Sequence, residues 1–424
     1  MEAIKAPRGT YDVLGGESWK WARVVNTARG VADDFGFKEA ILPIFEHTEL
    51  FSRGIGDTTD VVEKEMYTFT DKGGRSITLR PELTASMVRA YLENGLRHGP
   101  QPVKLWGWGP MFRYERPQKG RYRQFAQIDF EILGVSSPFA DVEIIDSSME
   151  IYRRVGLSNL RVLINSVGCP RCRPDYRESL RKFFETGLDK LCETCRDRFD
   201  RNPLRILDCK KPECRELTDS APPMIDSLCE ECKEHFMSVT RGLEKLGADV
   251  SLDNKLVRGL DYYTKTAYEI LSGDLGAQNA VCGGGRYDNL AEAIGGPGVP
   301  GVGFASGIER IIITMEAQGA FMGNEPGTDV FVISAAGAEY EASLLTHELR
   351  AKGVSSDMDF MGRSIKSQMK YASQTGAKFV CIIGEDEISS GTATVKNMKD
   401  GSQETTRRES VCGKILSWKE AWAQ

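Results

Sequence analysis

The chain has 424 residues, too many for one ordinary hydrophobic core, so two or three domains are expected. With 41% hydrophobic and 27% charged residues it has a soluble globular composition, and no apolar run approaches the roughly 20 residues that span a bilayer, so no membrane partner is expected. A formal net charge of -6 argues against nucleic-acid binding over the whole surface, so any anionic partner must be met by local cations.

The N-terminal MEAIKAPRGTYDV has no apolar segment of the secretory kind, and a cytoplasmic location is the expectation. Residues 17–35 read as an amphipathic helix that Gly36 stops. FKEAILPIFEHTELF reads as a strand with a turn at Pro43, and short strands flank the turn DKGG within residues 60–80. Residues 81–93 read as a helix with proline in its first turn. KLWGWGPMFRYE and RQFAQIDFEIL then alternate like an antiparallel pair joined by RPQKGRY. A helix over 141–156 and a strand over 161–166 follow. Residues 168–247 differ in texture, being rich in Cys, Arg and Glu, and read as an inserted subdomain, helical between its cysteine pairs. The strand pattern resumes at Leu256 with VRGLDYYTKTAYEIL, followed by VCGGGRYDNL and by GVGFASGIERIIITME, a glycine turn leading into a helix. Residues 324–328 read as a linker. Beyond it, DVFVISA, a helix over 339–352, VSSDMD, a helix over 364–373, FVCIIG and GTATVKNM give the β-α-β-α-β-β order of a separate small α/β domain.

FRYERPQKGRYRQFAQ, residues 112–127, carries Arg113, Arg116, Lys119, Arg121 and Arg123 against Glu115 alone, with aromatic residues between the cations. A solvated charge run is the plain explanation. The strand alternation, however, sets Arg113 and Glu115 on one face and Arg121 and Phe125 on one face. Guanidinium forks suit phosphate oxygens, and an aromatic ring suits a base, so a nucleotide pocket is the sharper reading. Gln127, Asp129 and Glu131 alternate into one wall, either an exposed polar face or acceptors for a ligand's ammonium or imidazole group. Arg258 stands in an otherwise apolar and aromatic stretch, where a buried anion would be its partner. There is no GxxxxGK[ST], and the glycines at 296, 298 and 301 match GxGxxG without a leading strand, so neither phosphate-loop motif applies. GGGRYD and GFASGIER read as backbone that something approaches closely, with Arg310 at the start of a helix.

Eight cysteines form four pairs: Cys169 and Cys172, Cys192 and Cys195, Cys209 and Cys214, Cys229 and Cys232. Two thiolates per short knuckle is tetrahedral zinc chemistry, enough for up to two closed structural sites. Reduced thiols without metal are the alternative, and a redox Cys-x-x-Cys lacks the βαβ setting it needs.

Together these segments resemble the class II aminoacyl-tRNA synthetases, and among them the histidyl-tRNA synthetase family. GFKEAILPIFE is similar to motif 1, FRYERPQKGRYRQF to motif 2 and GFASGIER to motif 3. VRGLDYYTKTAYE and GGGRYDNL resemble the two histidine signature peptides, and KAPRGTYDV and LRPELTA also fit the pattern. The resemblance implies an α+β fold: a catalytic domain over 1–325 built on an antiparallel six-stranded sheet with helices, an insertion over 168–247, and an anticodon-binding domain over 328–424. It implies ATP, Mg2+, L-histidine and tRNA(His) as ligands and partners, and a homodimer with motif 1 at the interface. It assigns Arg113 to the α-phosphate, Glu115 and Phe125 to adenine, and Arg121 and Arg310 to the β/γ end. Arg258 would stabilise the α-phosphate during attack. Glu82, Thr84 and Gln127 would hold the α-amino group, Glu131 and Tyr263 would read the imidazole, and Tyr262 and Tyr287 would line the pocket. Family members often have histidine at position 126 and some have glycine at 83, where this chain has Ala126 and Leu83. A non-catalytic paralogue that regulates ATP phosphoribosyltransferase is the alternative implied function.

Overall fold

Val24, Ala28, Val31 and Ala32 recur at helical spacing and are all buried, which turns one face of α1 (Gly15–Asp34) inward. Gly36, at φ +77°, follows its end. The structure is a computed structural model that describes residues 3–56, 59–273, 280–321 and 327–422. It divides into two compact units, Met1–Met322 and Gly323–Gln424. Part of the expected linker, residues 324–326, lies outside the described residues.

In the first unit the chain continues through β1 (Lys38–Glu39), β2 (Phe45–His47), α2 (Thr48–Ile55), β3 (Tyr67–Thr70), β4 (Ser76–Leu79) and α3 (Thr84–Glu93). Next come β5 (Val103–Phe112), β6 (Gln124–Leu133), α4 (Pro138–Val155) and β7 (Leu160–Ser166). The insert holds α5 (Arg173–Glu185), α6 (Glu193–Arg201), α7 (Pro212–Thr218) and α8 (Glu230–Lys245). The unit closes with β8 (Val250–Leu252), β9 (Thr264–Ser272), β10 (Ala280–Arg286), α9 (Leu290–Ala293), β11 (Gly301–Gly307) and α10 (Ile308–Ala317).

The main sheet has eight strands in the order β1-β5-β6-β11-β10-β9-β7-β8. It is mixed, not the six-stranded antiparallel sheet expected. The six central strands are antiparallel throughout, and β1 on β5 and β8 on β7 add a parallel edge at each side. The edge strands are two and three residues long, too short to leave an alternation in the sequence. Strands β2, β4 and β3 form a small separate sheet.

Period-2 alternation along β6 divides the unit into two cores. Ala126, Ile128, Phe130 and Ile132 pack with residues of α1, α4 and α10 on one face. On the other face Leu133, Leu105 and Met111 belong to a cluster that also takes in Tyr262, Tyr263 and Tyr287 and the insert's Tyr176, Leu180, Phe184 and Ile206. The insert therefore shares its core with the main sheet. An ion-paired group ties the first face together. Asp141 on α4 accepts from Arg286 Nε at 3.1 Å and sits 3.2 Å from His235 Nε2 on α8, with Asp141 and Arg286 fully buried. Burial pushes the Asp141 carboxyl up, but His235 and Arg286 overcome it and hold it below the usual range.

Several local readings differ from the structure. The first-turn proline of the 81–93 helix lies outside α3, because the Glu82 carboxylate accepts from Thr84 N at 2.9 Å and Ala85 N at 2.8 Å and sets the start there. FKEAILPIFEHTELF is not one strand: it breaks into β1, β2 and the start of α2. GFASG is strand β11, not a turn.

The second unit contains β12 (Val330–Ser334), α11 (Glu339–Ala351), β13 (Ser356–Met358), α12 (Ile365–Gln374) and β14 (Phe379–Ile383). It continues with α13 (Glu385–Ser390), β15 (Thr392–Asn397), β16 (Gln403–Arg407) and α14 (Val411–Trp422). The sheet order is β13-β12-β14-β15-β16, with the first three strands parallel and the rest antiparallel. The sequence pattern misses α13 and β16, whose residues are almost all exposed and carry no apolar period. No helix among the described residues is long and apolar enough to cross a membrane.

Candidate active site

Strand register builds the site's floor. Across the sheet Glu131 on β6 faces Gly303 on β11, which faces Gly285 on β10, which faces Ala267 on β9. The next row runs Asp129, Ala305, Gly283 and Glu269. Two rows of the central sheet thus present almost bare backbone, walled by carboxylates. The glycines are needed for space. A Cβ on Gly303 would lie 1.5 Å from Glu131 Oε2, and one on Gly283 would lie 2.0 Å from Arg258 Nη2.

Over this floor opens a cavity of about 250 Å³, lined among others by Arg113, Glu115, Arg121, Phe125, Gln127, Arg258, Glu269 and Arg310. Arg113 donates from Nε to Pro81 O at 2.9 Å, and its guanidinium lies 5.3 Å from the centre of the Phe125 ring. Arg121 pairs with Glu115 at 3.0 Å. Arg310 donates to Ala280 O at 2.8 Å, and burial, with Arg121 beside it, lowers its pKa. Arg258 pairs with Glu269. Burial works against the Arg258 charge, and Glu269 and Tyr263 together more than compensate. Four guanidinium groups converging on one cavity would bind a polyanion. Gln127 Oε1 and both Asp129 oxygens are buried with no hydrogen bond among the described residues. Burial, with Glu131 and Glu82 nearby, raises the Asp129 pKa well above the usual range.

Deeper in the same face, Glu131 is fully buried. It accepts from Thr84 Oγ1 at 2.6 Å and from the Tyr287 hydroxyl. Burial drives its carboxyl up to about 8, with those two hydroxyls opposing. Burial also raises Glu82. The rings of Tyr262 and Tyr263 lie 4.7 Å apart, and Tyr262 meets Tyr287 edge-on at 5.7 Å. This buried group therefore combines acceptors with three aromatic rings, a setting for a small ligand with a ring N–H.

Comparison with known proteins agrees with this geometry. Residues 9–311 match the model of the family described as histidyl-tRNA synthetase, and residues 329–418 match an anticodon binding domain. The histidine--tRNA ligase of Desulforamulus reducens is 53% identical over 407 residues, covering 96% of this chain and 97% of the relative. The chain belongs to the histidyl-tRNA synthetase family. The ligase of Pelotomaculum thermopropionicum is 52% identical over 96% of each chain. The crystal structure of an apo histidyl-tRNA synthetase from S. aureus superposes with a TM-score of 0.82 at 39% identity, over 97% of this chain and 100% of that one.

Every site residue expected from the histidyl-tRNA synthetase motifs falls on this face of the sheet, but not always on the element expected. Strand β5 ends at Phe112 and β6 begins at Gln124, so Arg113, Glu115 and Arg121 sit on the connecting loop and not on strands. The loop closes on itself through Gln118 and Arg121. Likewise residues 256–263 are irregular, and β9 starts only at Thr264, so Arg258, Tyr262 and Tyr263 do not alternate on a strand. Ala126 points into the opposite core, and its N–H donates to Glu309 Oε1 at 3.0 Å, so the missing family histidine leaves the floor unchanged. Two residues of the site lie inside the peptides VRGLDYYTKTAYE and LRPELTA, but the motifs assign them no role. Glu269 is the ion-pair partner of Arg258. Arg80 is buried and donates to Pro110 O at 2.9 Å and Leu42 O at 3.0 Å, beneath the wall that carries Asp129. A carboxylate and a guanidinium within apolar runs were the available signals. The eight paired cysteines gather into two groups, Cys169, Cys172, Cys229 and Cys232, and Cys192, Cys195, Cys209 and Cys214.

Proposed function

We propose that this chain is a histidine–tRNA ligase that activates L-histidine with ATP to histidyl-adenylate and transfers histidine to the 3′ end of tRNA(His). The observation that carries the reading is the junction of two chemistries on one floor, a cavity ringed by Arg113, Arg121, Arg258 and Arg310 and a buried acceptor network at Glu131, Thr84 and Tyr287. In activation an oxygen of the histidine carboxylate forms a bond to the α-phosphorus, and the bond to pyrophosphate breaks. Negative charge develops at the phosphoryl oxygens, and fixed guanidinium groups stabilise it. Arg113 and Arg258 do this at the α-phosphate, while Arg121 and Arg310 hold the β/γ end. Phe125 stacks on adenine and Glu115 contacts it.

Glu82, Thr84 and Gln127 take the α-amino group; the partnerless Gln127 Oε1 favours this role. Glu131 and Tyr263 read the imidazole between Tyr262 and Tyr287. An amino acid without a ring N–H gains no bond to Glu131 beyond those Thr84 and Tyr287 already make, which is how such a site discriminates. Glu115 and Glu269 line the cavity but are both paired to arginine, so Mg2+ fits as an ion carried on the phosphates of ATP, neutralising part of their charge, and not in an all-protein cage. The eight thiols fit structural zinc, with no catalytic part.

A homodimer is supported by the motif 1 segment, which leaves Ile41 92% exposed and Phe45 53% exposed. The 329–418 match supports tRNA recognition by the second unit, and the cytoplasm is the setting this activity requires. The regulatory-paralogue alternative has less support, because all four cavity arginines and the anticodon-domain match are present. ATP–pyrophosphate exchange, run with each standard amino acid, tests the reading. Exchange with histidine alone is expected; histidine binding without exchange would favour the regulator.

A further inference from the structure

The insert's cysteine pairs are nested in sequence and gather into two separate groups in space. The outermost and innermost pairs form separate groups, each with all four sulfurs within 4.8 Å of one another. In the outer group Cys169 and Cys172 are 3.5 Å apart, Cys172 and Cys232 3.7 Å, and Cys169 and Cys229 3.9 Å. In the inner group Cys192 and Cys209 are 3.9 Å apart. Zinc–sulfur bonds of about 2.3 Å in a tetrahedron give sulfur–sulfur edges of about 3.8 Å, whereas a disulfide would need about 2.05 Å. Backbone N–H groups already point at the sulfurs, Cys169 N to Cys172 Sγ and Cys192 N to Cys214 Sγ, each at 3.2 Å.

Residues flanking both groups reach the peptide from Arg258 to Lys265, irregular as far as Tyr263 and the start of β9 beyond it. Next to the outer group, Arg173 donates to Val167 O at 3.0 Å and to Tyr263 O, and Glu231, between Cys229 and Cys232, takes Lys265 Nζ at 2.9 Å. Lys265 N donates to Gly168 O at 2.9 Å, one residue before Cys169. From the inner group, α6 leads to Asn202, whose Nδ2 donates to Asp261 Oδ1 at 3.0 Å, and to Arg205, whose Nη1 donates to Arg258 O at 2.8 Å. The peptide that carries Arg258, Tyr262 and Tyr263 is thus braced at several points by residues that flank the two cysteine groups.

We propose that each four-cysteine group binds one Zn2+, and that the pair of sites acts as a positioning device for the Arg258–Lys265 peptide, so that zinc sets histidine recognition without touching substrate. This rests on the reading of Tyr262 and Tyr263 as part of the histidine pocket.

The test combines metal analysis with exchange kinetics on full-length protein purified without chelator. Wild type should carry two zinc ions per chain, and C192S/C195S and C229S/C232S should each lose one. In both variants KM for histidine should rise about tenfold or more while KM for ATP moves less than about threefold. N202A/R205A keeps every thiol, so it should retain two zinc ions and show the same split in KM. That variant decides the positioning role if the cysteine variants do not fold. Fewer than about one zinc per wild-type chain would overturn the metal sites. Two zinc ions with an unmoved histidine KM in N202A/R205A would overturn the positioning. Absence of any histidine exchange in wild type with full zinc would instead overturn the ligase reading and leave the metal sites standing.

Discussion

Replacing Gly283 by alanine separates the position of Arg258 from the integrity of the fold. Gly283 lies in β10 with an ordinary backbone conformation, so the substitution adds no backbone strain. Its Cβ would fall 2.0 Å from Arg258 Nη2, 2.4 Å from Cζ and 2.6 Å from Nη1, and no backbone atom is among these nearest neighbours. To restore an ordinary 3.4 Å contact the guanidinium must retreat by about 1.4 Å, which a flexible side chain does cheaply. A misplacement of about 1 Å at the reacting centre costs roughly 100-fold in rate. That corresponds to about 2.7 kcal/mol at about 1.36 kcal/mol per decade. Histidine-dependent ATP–pyrophosphate exchange should therefore lose about two orders of magnitude in kcat, with a melting temperature close to wild type. A G283A protein that keeps kcat within about threefold would refute the claim that the bare strand exists to seat Arg258 over the α-phosphate. Gly284 provides the contrast, since its Cβ would meet Gly303 O at 2.4 Å, and G284A should lower stability in thermal melts.

Glu131→Gln keeps the shape but removes an acceptor oxygen, and leaving a buried donor unpaired, at about 1–3 kcal/mol, should lower kcat/KM for histidine about 5- to 150-fold with KM for ATP unmoved; an unaltered histidine response would remove Glu131 from recognition. The same carboxyl titrates near 8 in the folded chain against an ordinary 4.5. A raised folded pKa contributes stability that is full below the ordinary value and lost as pH rises toward 8. The melting temperature of wild type should fall across that window more steeply than that of E131Q, and parallel curves would contradict the burial argument. Asp141→Ala leaves the fully buried Arg286 with Asp288, at 3.1 Å, as its remaining carboxylate partner, and urea unfolding should register a loss of about 1.5–3 kcal/mol; a loss under about 1 kcal/mol would mean that Asp288 and the backbone carbonyls compensate fully.

Much of the site is legible because a strand's period is two. Gln127, Asp129 and Glu131 announce one wall, and the intervening Ile128 and Phe130 announce a core behind it. The arginines of residues 112–127 announce an anion but not their backbone, since charge and aromatic content are compatible with strand and loop alike. Arg258 invites the same error, because an irregular peptide held by side chains from the insert has no periodic signature. GGGRYD marks Gly283 as backbone that something approaches closely, but that Arg258 is what approaches, and that Glu269 pairs with it, appears only when β9 and β10 come into register. Cysteine spacing gives the pairs, whereas which pairs meet depends on how α5 to α8 fold between them.

The run of glycine and alanine across β11, β10 and β9 has a consequence for the folded state as a whole. A sheet face normally gains its stability from its own strands' side chains stacked upon it, and here, among the described residues, only Glu131, Arg258 and Tyr263 lean over the middle. ATP and histidine would supply that layer, acting as removable packing as well as reactants. Ligand at about 100 times its dissociation constant adds about 2.7 kcal/mol to the stability of the form that binds it. The empty protein would then be the less stable partner of a pair, and its melting temperature should rise with the concentrations of ATP and histidine.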